Sequence, residues 1–451
     1  MSRQGALAGA TFFVATESTF GSVLTTDVRE IDLLGLTGLT WYPLQTLRAD
    51  IGGFTSALKM PVYQPETTTA RGGLAPPEVE AVVDSYGTIT KRLRGEFTLT
   101  LPMRWLGNTV PGSSAMGVLL GSALTFFGHS AGTTDAVLTT PSANTLTVAD
   151  AGIYTPGEIV AINTNGKFYY HRVTAISAVS DLLTLETEHG LTDEGTLYRC
   201  QHWLPSDDGT TTNQSFAIFM SDRAQTHQVL AVGCRVMGIT LNRVGNDGAS
   251  LELVLRCMAS DGSYIENDSF AIEDFTGPLP WGITGTRACK VLNAPVVMTE
   301  NHSADAAPWS GTSVEIPCRT WSANISLSMD PRGGGQANRS GANDYDLTEG
   351  NVTVTLTMDP PAVLSGVPSP RDILKDSEAR SLTVTLGGAA TSGSGGCLHI
   401  ARADVGDDPG LTVDDERKSY SVTFRNGQYE GDTPIGTHLR SNAPWCLAFV
   451  S

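Results

Sequence analysis

Two short strings place a thiol and an imidazole two residues apart: CQHW at 200–203 and CLHI at 397–400. Cys-x-His can offer two ligands to a tetrahedral zinc ion, and on a strand residues two apart share a face. Such a site needs further donors, and no cluster of His, Cys or carboxylates follows either string at a ligating spacing. Cys200, His202, Cys397 and His399 therefore read as packed strand residues, with no metal. The stretch ADVGDDPGLTVDDERK carries Asp404, Asp407, Asp408, Asp414, Asp415 and Glu416, oxygen ligands of the kind calcium takes. They do not follow the spacing of a calcium loop, so this stretch reads as a solvated loop. RGGGQANRSG at 332–341 has the glycine content of a phosphate cradle, but no Gly-Lys-Ser/Thr and no helix start follows it. The eight histidines lie apart, in no Ser/His/Asp order. No catalytic, cofactor-binding or metal-ligating residue is expected, and the chain reads as a non-enzyme.

The elements that carry these strings are strands. Residues 350–358 read GNVTVTLTM, in which Val352, Val354, Leu356 and Met358 alternate with threonines to give one dry and one wet face. Residues 95–103 read GEFTLTLPM, identical at five of the nine positions. The Cys-x-His strings follow as a second anchor in the same order. Beyond each comes a Gly- and Asp-rich loop and another alternating strand, SFAIF from Ser215 and SYSVTF from Ser419. Met103 to Cys200 is 97 residues and Met358 to Cys397 is 39, so the first copy carries about 58 extra. Segment 144–186, with short alternating strands, Pro156-Gly157 and the hairpin signal Asn165-Gly166, fills that gap as a small inserted β-module. The organisation expected is a first β domain over 1–270, holding the module at about 130–195, and a second over 271–451.

Residues 234–258 form the clearest hairpin, with Ile239 and Leu241 on one face and Leu251, Leu253 and Leu255 in a matching row. Asn246-Asp247-Gly248 supplies its turn. Arg235, Thr240, Asn242, Glu252 and Arg256 are expected to face solvent. Trp321, Ala323, Ile325, Leu327 and Met329 alternate with Ser322, Asn324, Ser326 and Ser328 in another strand. A register slip of one residue would expose either apolar row, so these strands are pinned. Helix is scarce: AMGVLLGSALTFF at 115–127, capped by Ser113 or Ser114, and a shorter one after Pro370 in RDILKDSEA. The fold class is mainly β, with two tandem related antiparallel sandwich or half-barrel domains, each with one short helix.

The 451 residues exceed one ordinary core, and the formal net charge of -18 argues against a grip on nucleic acid. It suits a soluble protein that must not stick to a nearby polyanion. Seven scattered cysteines with no C-x-x-C indicate neither a zinc cage nor a disulfide framework. The opening MSRQGALAGATFFVA has a short apolar run diluted by Gly and Thr, with no clean cleavage site, which argues against a secretory signal. No stretch approaches the roughly 20 apolar residues that span a bilayer. Asn-x-Ser/Thr at Asn213, Asn301, Asn324, Asn338 and Asn351 reads as a consequence of composition.

GEFTLTLPMRWLGNTVPGSSAMGVLLGSAL, the strand pair QVLAVGCRVMGITLNRVGNDGASLELVLRC and the Gly/Asn-rich loop MDPRGGGQANRSGANDYDLTEGN together carry a resemblance. The chain resembles the major tail tube proteins of long-tailed bacteriophages (siphophages), in the subgroup whose tube domain is duplicated in one polypeptide. The resemblance implies a homo-oligomer of the virion tail, made in the host cytoplasm: a ring, about three chains with pseudo-sixfold symmetry, stacked into a tube. Sheet edges of neighbouring copies would pair into a barrel around a channel. DNA passes through without specific binding, and the tape-measure, tail-terminator and baseplate proteins are the further partners it implies. The polar rows Glu96, Thr98, Thr100; Thr240, Asn242, Glu252; Ser322, Asn324, Ser326; and Thr353, Thr355, Thr357 are then candidate lumen residues. A wall of hydroxyls, amides and net negative charge would let phosphate slide. Rings would stack through Asp330–Gly350, with Arg332, Gly334, Asn338, Arg339, Asn343 and Asp344, and through Ile51–Ser85. The alternative is a virion decoration, adhesin or surface β-module that binds a partner through displayed loops, for which the same polar rows are merely a solvated face.

Overall fold

The computed structural model of the protein describes residues 11–17, 41–44, 48–50, 81–83, 89–91, 95–102, 111–112, 114–128, 134–164, 167–191, 195–205, 214–221, 228–244, 250–259, 261–265, 296–299, 313–316, 318–333, 342–358, 380–386, 395–406, 410–414, 417–427 and 443–450. The chain is mainly β, and one α-helix stands among the described residues. The first strands are β1 (Thr11–Thr16), β2 (Tyr42–Leu44), β3 (Arg48–Asp50), β4 (Ala81–Val83), β5 (Ile89–Lys91) and β6 (Gly95–Pro102), followed by helix α1 (Ala115–Gly121). Next come β7 (Leu124–Phe127), β8 (Thr134–Ser142), β9 (Thr145–Val148), β10 (Ile159–Thr164), β11 (Lys167–Ser177), β12 (Leu182–Leu185) and β13 (Gly195–Pro205). The middle holds β14 (Phe216–Ser221), β15 (Gln228–Val244), β16 (Ser250–Ala259), β17 (Asp261–Ile265), β18 (Val296–Thr299) and β19 (Ser313–Ile316). The last are β20 (Cys318–Gly333), β21 (Ala342–Met358), β22 (Arg380–Thr385), β23 (Gly396–Val405), β24 (Gly410–Asp414), β25 (Arg417–Asn426) and β26 (Trp445–Val450).

The segment read as an inserted module closes a barrel together with β13, which runs beyond the expected end of the module. β8, β9, β12, β11, β10 and β13 pair antiparallel in that order, and β13 returns to β8, so six strands leave no edge. Thr164 pairs with Lys167, the tight connection that Asn165-Gly166 signals. Along β10 the alternation is apolar on both faces. Val160 and Ile162 point into the barrel core with Leu146, Val173, Leu183 and Leu197, whereas Ile159 and Ala161 point out. The outward pair, with Phe168 and Tyr170, packs on Cys397, Cys446, Ala448 and Val450 of the body, so the barrel is docked by a second dry interface.

Among the described residues outside the barrel, two five-strand rows stand beside the longer sheet described below. One row is β2–β1–β14–β15–β17, and the second is β19–β18–β22–β23–β26. β15 belongs to two sheets. Its first part pairs with β14 and β17; from Arg235 on it pairs with β16, with a register break between Val236 and Gly238, and from Gly238 also with β20. Gly233, at φ +60°, occupies a backbone region that favours glycine. The buried Glu17 carboxylate accepts its N–H at 3.1 Å and the Ser215 hydroxyl as well, which fixes that bend.

Several expectations change. Residues 115–127 are not one helix: α1 is capped by Ser114, whose hydroxyl accepts from Gly117 N at 3.0 Å, and it stops at Gly121. The Ser122 hydroxyl turns back to Leu119 O at 2.7 Å, its carbonyl accepts from Arg235, and Leu124–Phe127 become β7 beside β13. Tertiary bonds here outweigh local helix propensity. Arg235 is buried rather than solvent-facing: its Nη1 donates to Ser122 O at 3.2 Å, on the face of β15 opposite Cys234 and Val236. The expected loop Asp330–Gly350 is largely ladder: β20 runs to Gly333 and β21 begins at Ala342. The Cys-x-His strings do not occupy corresponding places. β13 leaves the barrel to lie between β7 and β26, while β23 lies between β22 and β26. The helix expected after Pro370, the Ile51–Ser85 arm apart from β4, and Gly334, Asn338 and Arg339 lie outside the described residues.

Candidate assembly surface

Eight strands lie side by side in the order β3–β6–β16–β15–β20–β21–β25–β24, crossing the expected boundary near residue 270 at the β15–β20 join. The register aligns the polar rows into rungs that run across the sheet. One rung is Arg48–Thr100–Val254–Thr240–Asn324–Thr353–Arg425–Asp404, with Asp404 supplied by the end of β23. Another is Pro102–Glu252–Asn242–Ser322–Thr355–Thr423. A third is Asp50–Thr98–Arg256–Gly238–Ser326–Asn351.

The candidate lumen residues are therefore brought together. Thr98, Thr100, Thr240, Asn242, Ser322, Asn324, Ser326, Thr353, Thr355 and Thr357 stand on one face, and none of them is buried. Glu252 takes its place on the second rung, and Glu96 lies opposite Met258. Hydroxyl and amide groups bond along the rungs: Thr240 Oγ1 donates to Asn324 Oδ1 at 3.1 Å, and the Thr355 and Thr423 hydroxyls are 3.2 Å apart. The opposite face is dry. Leu99, Leu255, Ile239, Ile325 and Val352 form one buried rung, and Leu101, Leu253, Leu241, Ala323, Val354 and Phe424 another. The alternation places them so, and burying this face is what makes the sheet one layer of a core.

Sequence reasoning left out the β25 row, Ser421, Thr423 and Arg425, although the alternation in SYSVTF carried the signal. Exposed Arg256 and Arg425 also qualify the expected negative wall. Asp404 stands opposite Arg425 in the register, and Arg402 Nε is 3.6 Å from its carboxylate.

The sheet has two margins. Among the described residues, β3 pairs only with β6, and β24 only with β25. An unpaired strand margin is a template for another chain. Beyond the rungs, β20 and β21 continue as a two-stranded arm with Asp330 opposite Asp346 and Arg332 opposite Asp344, and Asn343 is the extra residue at the register shift that follows.

Several buried polar side chains are paired in the barrel and where it meets the body. The Arg199 Nε and Nη2 groups donate to Glu158 Oε1 at 3.0 and 2.9 Å, Nη2 also donates to Ile153 O, and the guanidinium lies over the Tyr154 ring. Burial, with Asp135 beside it, holds the Tyr154 hydroxyl well above its usual range. His202 Nε2 accepts from Ile159 N at 2.8 Å, and His399 Nδ1 is 2.9 Å from the Thr383 hydroxyl, with its Nε2 3.3 Å from Glu186. Burial raises the Cys200, Cys234, Cys257 and Cys397 thiols, so all four are protonated at neutral pH. Among the described residues no group of three His, Cys, Asp or Glu is arranged to hold a metal ion, and no helix is long and apolar enough to cross a membrane. No protein-family model matches the chain, and no curated protein matches it in sequence.

Proposed function

We propose that the protein is a non-catalytic structural subunit of a siphophage tail tube, which assembles into stacked rings around a channel for DNA. The observation that supports this best is the eight-strand sheet with one dry face, one continuous polar face and two margins without further partners among the described residues. A closed ring of such sheets has an inner wall of hydroxyls and amides, which neither condense on phosphate nor release counterions from it.

The duplication gains support from the pairing plan. The first half joins β2–β1–β14–β15–β17 and β15–β16–β6–β3, and the second joins β19–β18–β22–β23–β26 and β24–β25–β21–β20. The end of β23 lies beside β25 as the second part of β15 lies beside β16. Corresponding strands follow one another in the same chain order, and β14–β15 and β22–β23 each carry a bulge near their start. On this plan GEFTLTLP and GNVTVTLT match, as the sequence reading has it, but the partner of β23 is β15, not the Cys-x-His strand β13. The α1–β7 and barrel segment is then the insertion of the first tube-like domain (1–270), and 271–451 is the second.

The assembly is tested by negative-stain microscopy and light scattering of the purified protein over a range of concentration and salt. Rings or tubes are the expected result. Discrete monomers under every condition would instead favour a decoration or adhesin that displays its barrel and loops.

A further inference from the structure

We propose, independently of the assembly reading, that His202 is an acid-sensing clasp: its imidazole holds the barrel on the body only while neutral, so docking loosens as the pH falls through the ordinary histidine range.

The two Cys-x-His strings present one face to the barrel. β13 and β23 flank β26, and the register places His202 opposite Ala448, Ala448 opposite Cys397, and Cys446 opposite His399. Cys200, Cys397, Cys446, Ala448 and Val450 of that face are buried against Ile159, Ala161, Phe168 and Tyr170 of the barrel. Within this apolar seat each histidine, itself buried, makes a polar contact with the barrel. His202 Nε2 accepts from Ile159 N at 2.8 Å, and His399 Nε2 lies 3.3 Å from Glu186 Oε2. β13 runs through both bodies: up to Arg199 it pairs with β8 and β10, and from Cys200 on with β26 and β7. The β10–β13 ladder ends at Val160 and Arg199, and Ile159 N is the next amide of β10. His202 therefore takes up the ladder's last donor at the point where barrel and body part.

The two histidines answer a proton differently. An accepting Nε2 requires the neutral ring with its hydrogen on Nδ1, and an imidazolium has no acceptor nitrogen. Protonation of His202 breaks the bond from Ile159 N and leaves a charge and an amide away from water. His399 can donate from Nε2 to Glu186 whether neutral or charged. Among the described residues, the other titratable or charged groups about this seat are Cys200, Cys397 and Cys446, Tyr170 and Arg172 on β11, Glu158 before β10 and Glu186 after β12, while β7 adds Phe127. Glu158 is paired with Arg199 at 2.9 Å. Of all these side chains only the imidazoles ordinarily titrate between about pH 7 and 5.

The seat's own thiols read how often it opens. The full chain is treated with a dithiodipyridine reagent, which reacts with thiols in mild acid, at steps between about pH 7 and 5. Labelled cysteines are located by peptide mass mapping, and each rate is divided by that of the urea-unfolded chain at the same pH. Cys200, Cys397 and Cys446 should label up to about tenfold faster per pH unit below about 6.5, while Cys234 and Cys257, in the separate core of the body, stay protected. His202→Gln keeps an oxygen that can accept from Ile159 N and takes no proton, so it should remove the dependence. His171→Asn, inside the barrel, should leave it in place. In the unaltered protein, where no variant has to fold, rates that pH does not change would overturn the clasp, as would Cys234 and Cys257 accelerating in step, which marks unfolding of the whole chain. An equal slope in His202→Gln would assign the sensing to another group, and a slope lost in His171→Asn would assign it to opening of the barrel itself; either overturns the role of His202.

Discussion

The Thr240 hydroxyl donates to Asn324 Oδ1 at 3.1 Å across the β15–β20 join, where the two halves of the chain become one sheet. On the other face of the same join, Ile239 meets Ile325 and Leu241 meets Ala323, all fully buried. The exposed bond exchanges with water, so Asn324→Ala should cost about 1 kcal/mol or less. Ile325→Ala removes buried carbon and leaves a void, at about 2–5 kcal/mol. Urea titrations of the two variants measure the difference. Equal losses would mean that the polar face, rather than the dry one, holds the halves together.

Gly350 begins the repeated strand under a tryptophan. Its carbonyl accepts the Trp445 indole N–H at 2.8 Å, and a Cβ there would stand 2.7 Å from Leu327 Cδ2 and 3.1 Å from Trp445 Cζ2. Gly350→Ala should destabilise by about 1–3 kcal/mol through overpacking. Thermal melts followed by tryptophan emission detect it; an unchanged midpoint would show that Leu327 can swing aside.

The Arg199–Glu158 pair is buried on both sides, at 2 % and 0 % side-chain exposure. Removing one partner leaves a charge with no solvent, so Glu158→Gln or Arg199→Met should each cost about 3–5 kcal/mol, whereas the double change to apolar residues should recover much of the loss. A double-mutant cycle on chemical denaturation gives the coupling. Additive losses would contradict it.

His171 sits in the barrel with Nδ1 2.7 Å from the Thr187 hydroxyl, and burial, then the neighbouring His189, pushes its pKa down to about 3. The unfolded chain takes up this proton near 6.5, the folded one only near 3. Its contribution to stability is therefore complete above pH 6.5 and is lost as pH falls from there towards 3, with a slope approaching about 1.4 kcal/mol per pH unit. His171→Asn should flatten the stability profile in that window. An identical profile would mean that other groups set the acid limb.

Much of the local plan is legible in the residues. The alternation in GEFTLTLP, GITLN, SANIS and NVTVTLT assigns each side chain to a face, and every described residue in those rows falls on the face it predicts. Ser114 as N-cap and the pairing of Thr164 with Lys167 follow from single-residue chemistry. Where pattern misled, a distant partner intervened. Leu124–Phe127 continues the apolar run of α1 but pairs with β13, and Arg235, a charged side chain expected in solvent, is buried with its Nη1 on Ser122 O. The Cys-x-His likeness is a resemblance of strings, since one lies at the root of the barrel and the other beside β22.

The amino-acid order alone determined which faces of the alternating strands are dry, and that nearly the same string stands at 95–103 and 350–358. Those are properties of a few neighbouring residues, because side chains on an extended chain alternate whatever lies beside it. Which strand lies beside which was decided only in three dimensions: the six-strand closure of the barrel, the passage of β15 between two sheets, and the placing of β26 between β13 and β23. Backbone hydrogen bonds accept any partner, so the choice falls to how all the dry faces can be buried at once, and no single strand carries that information.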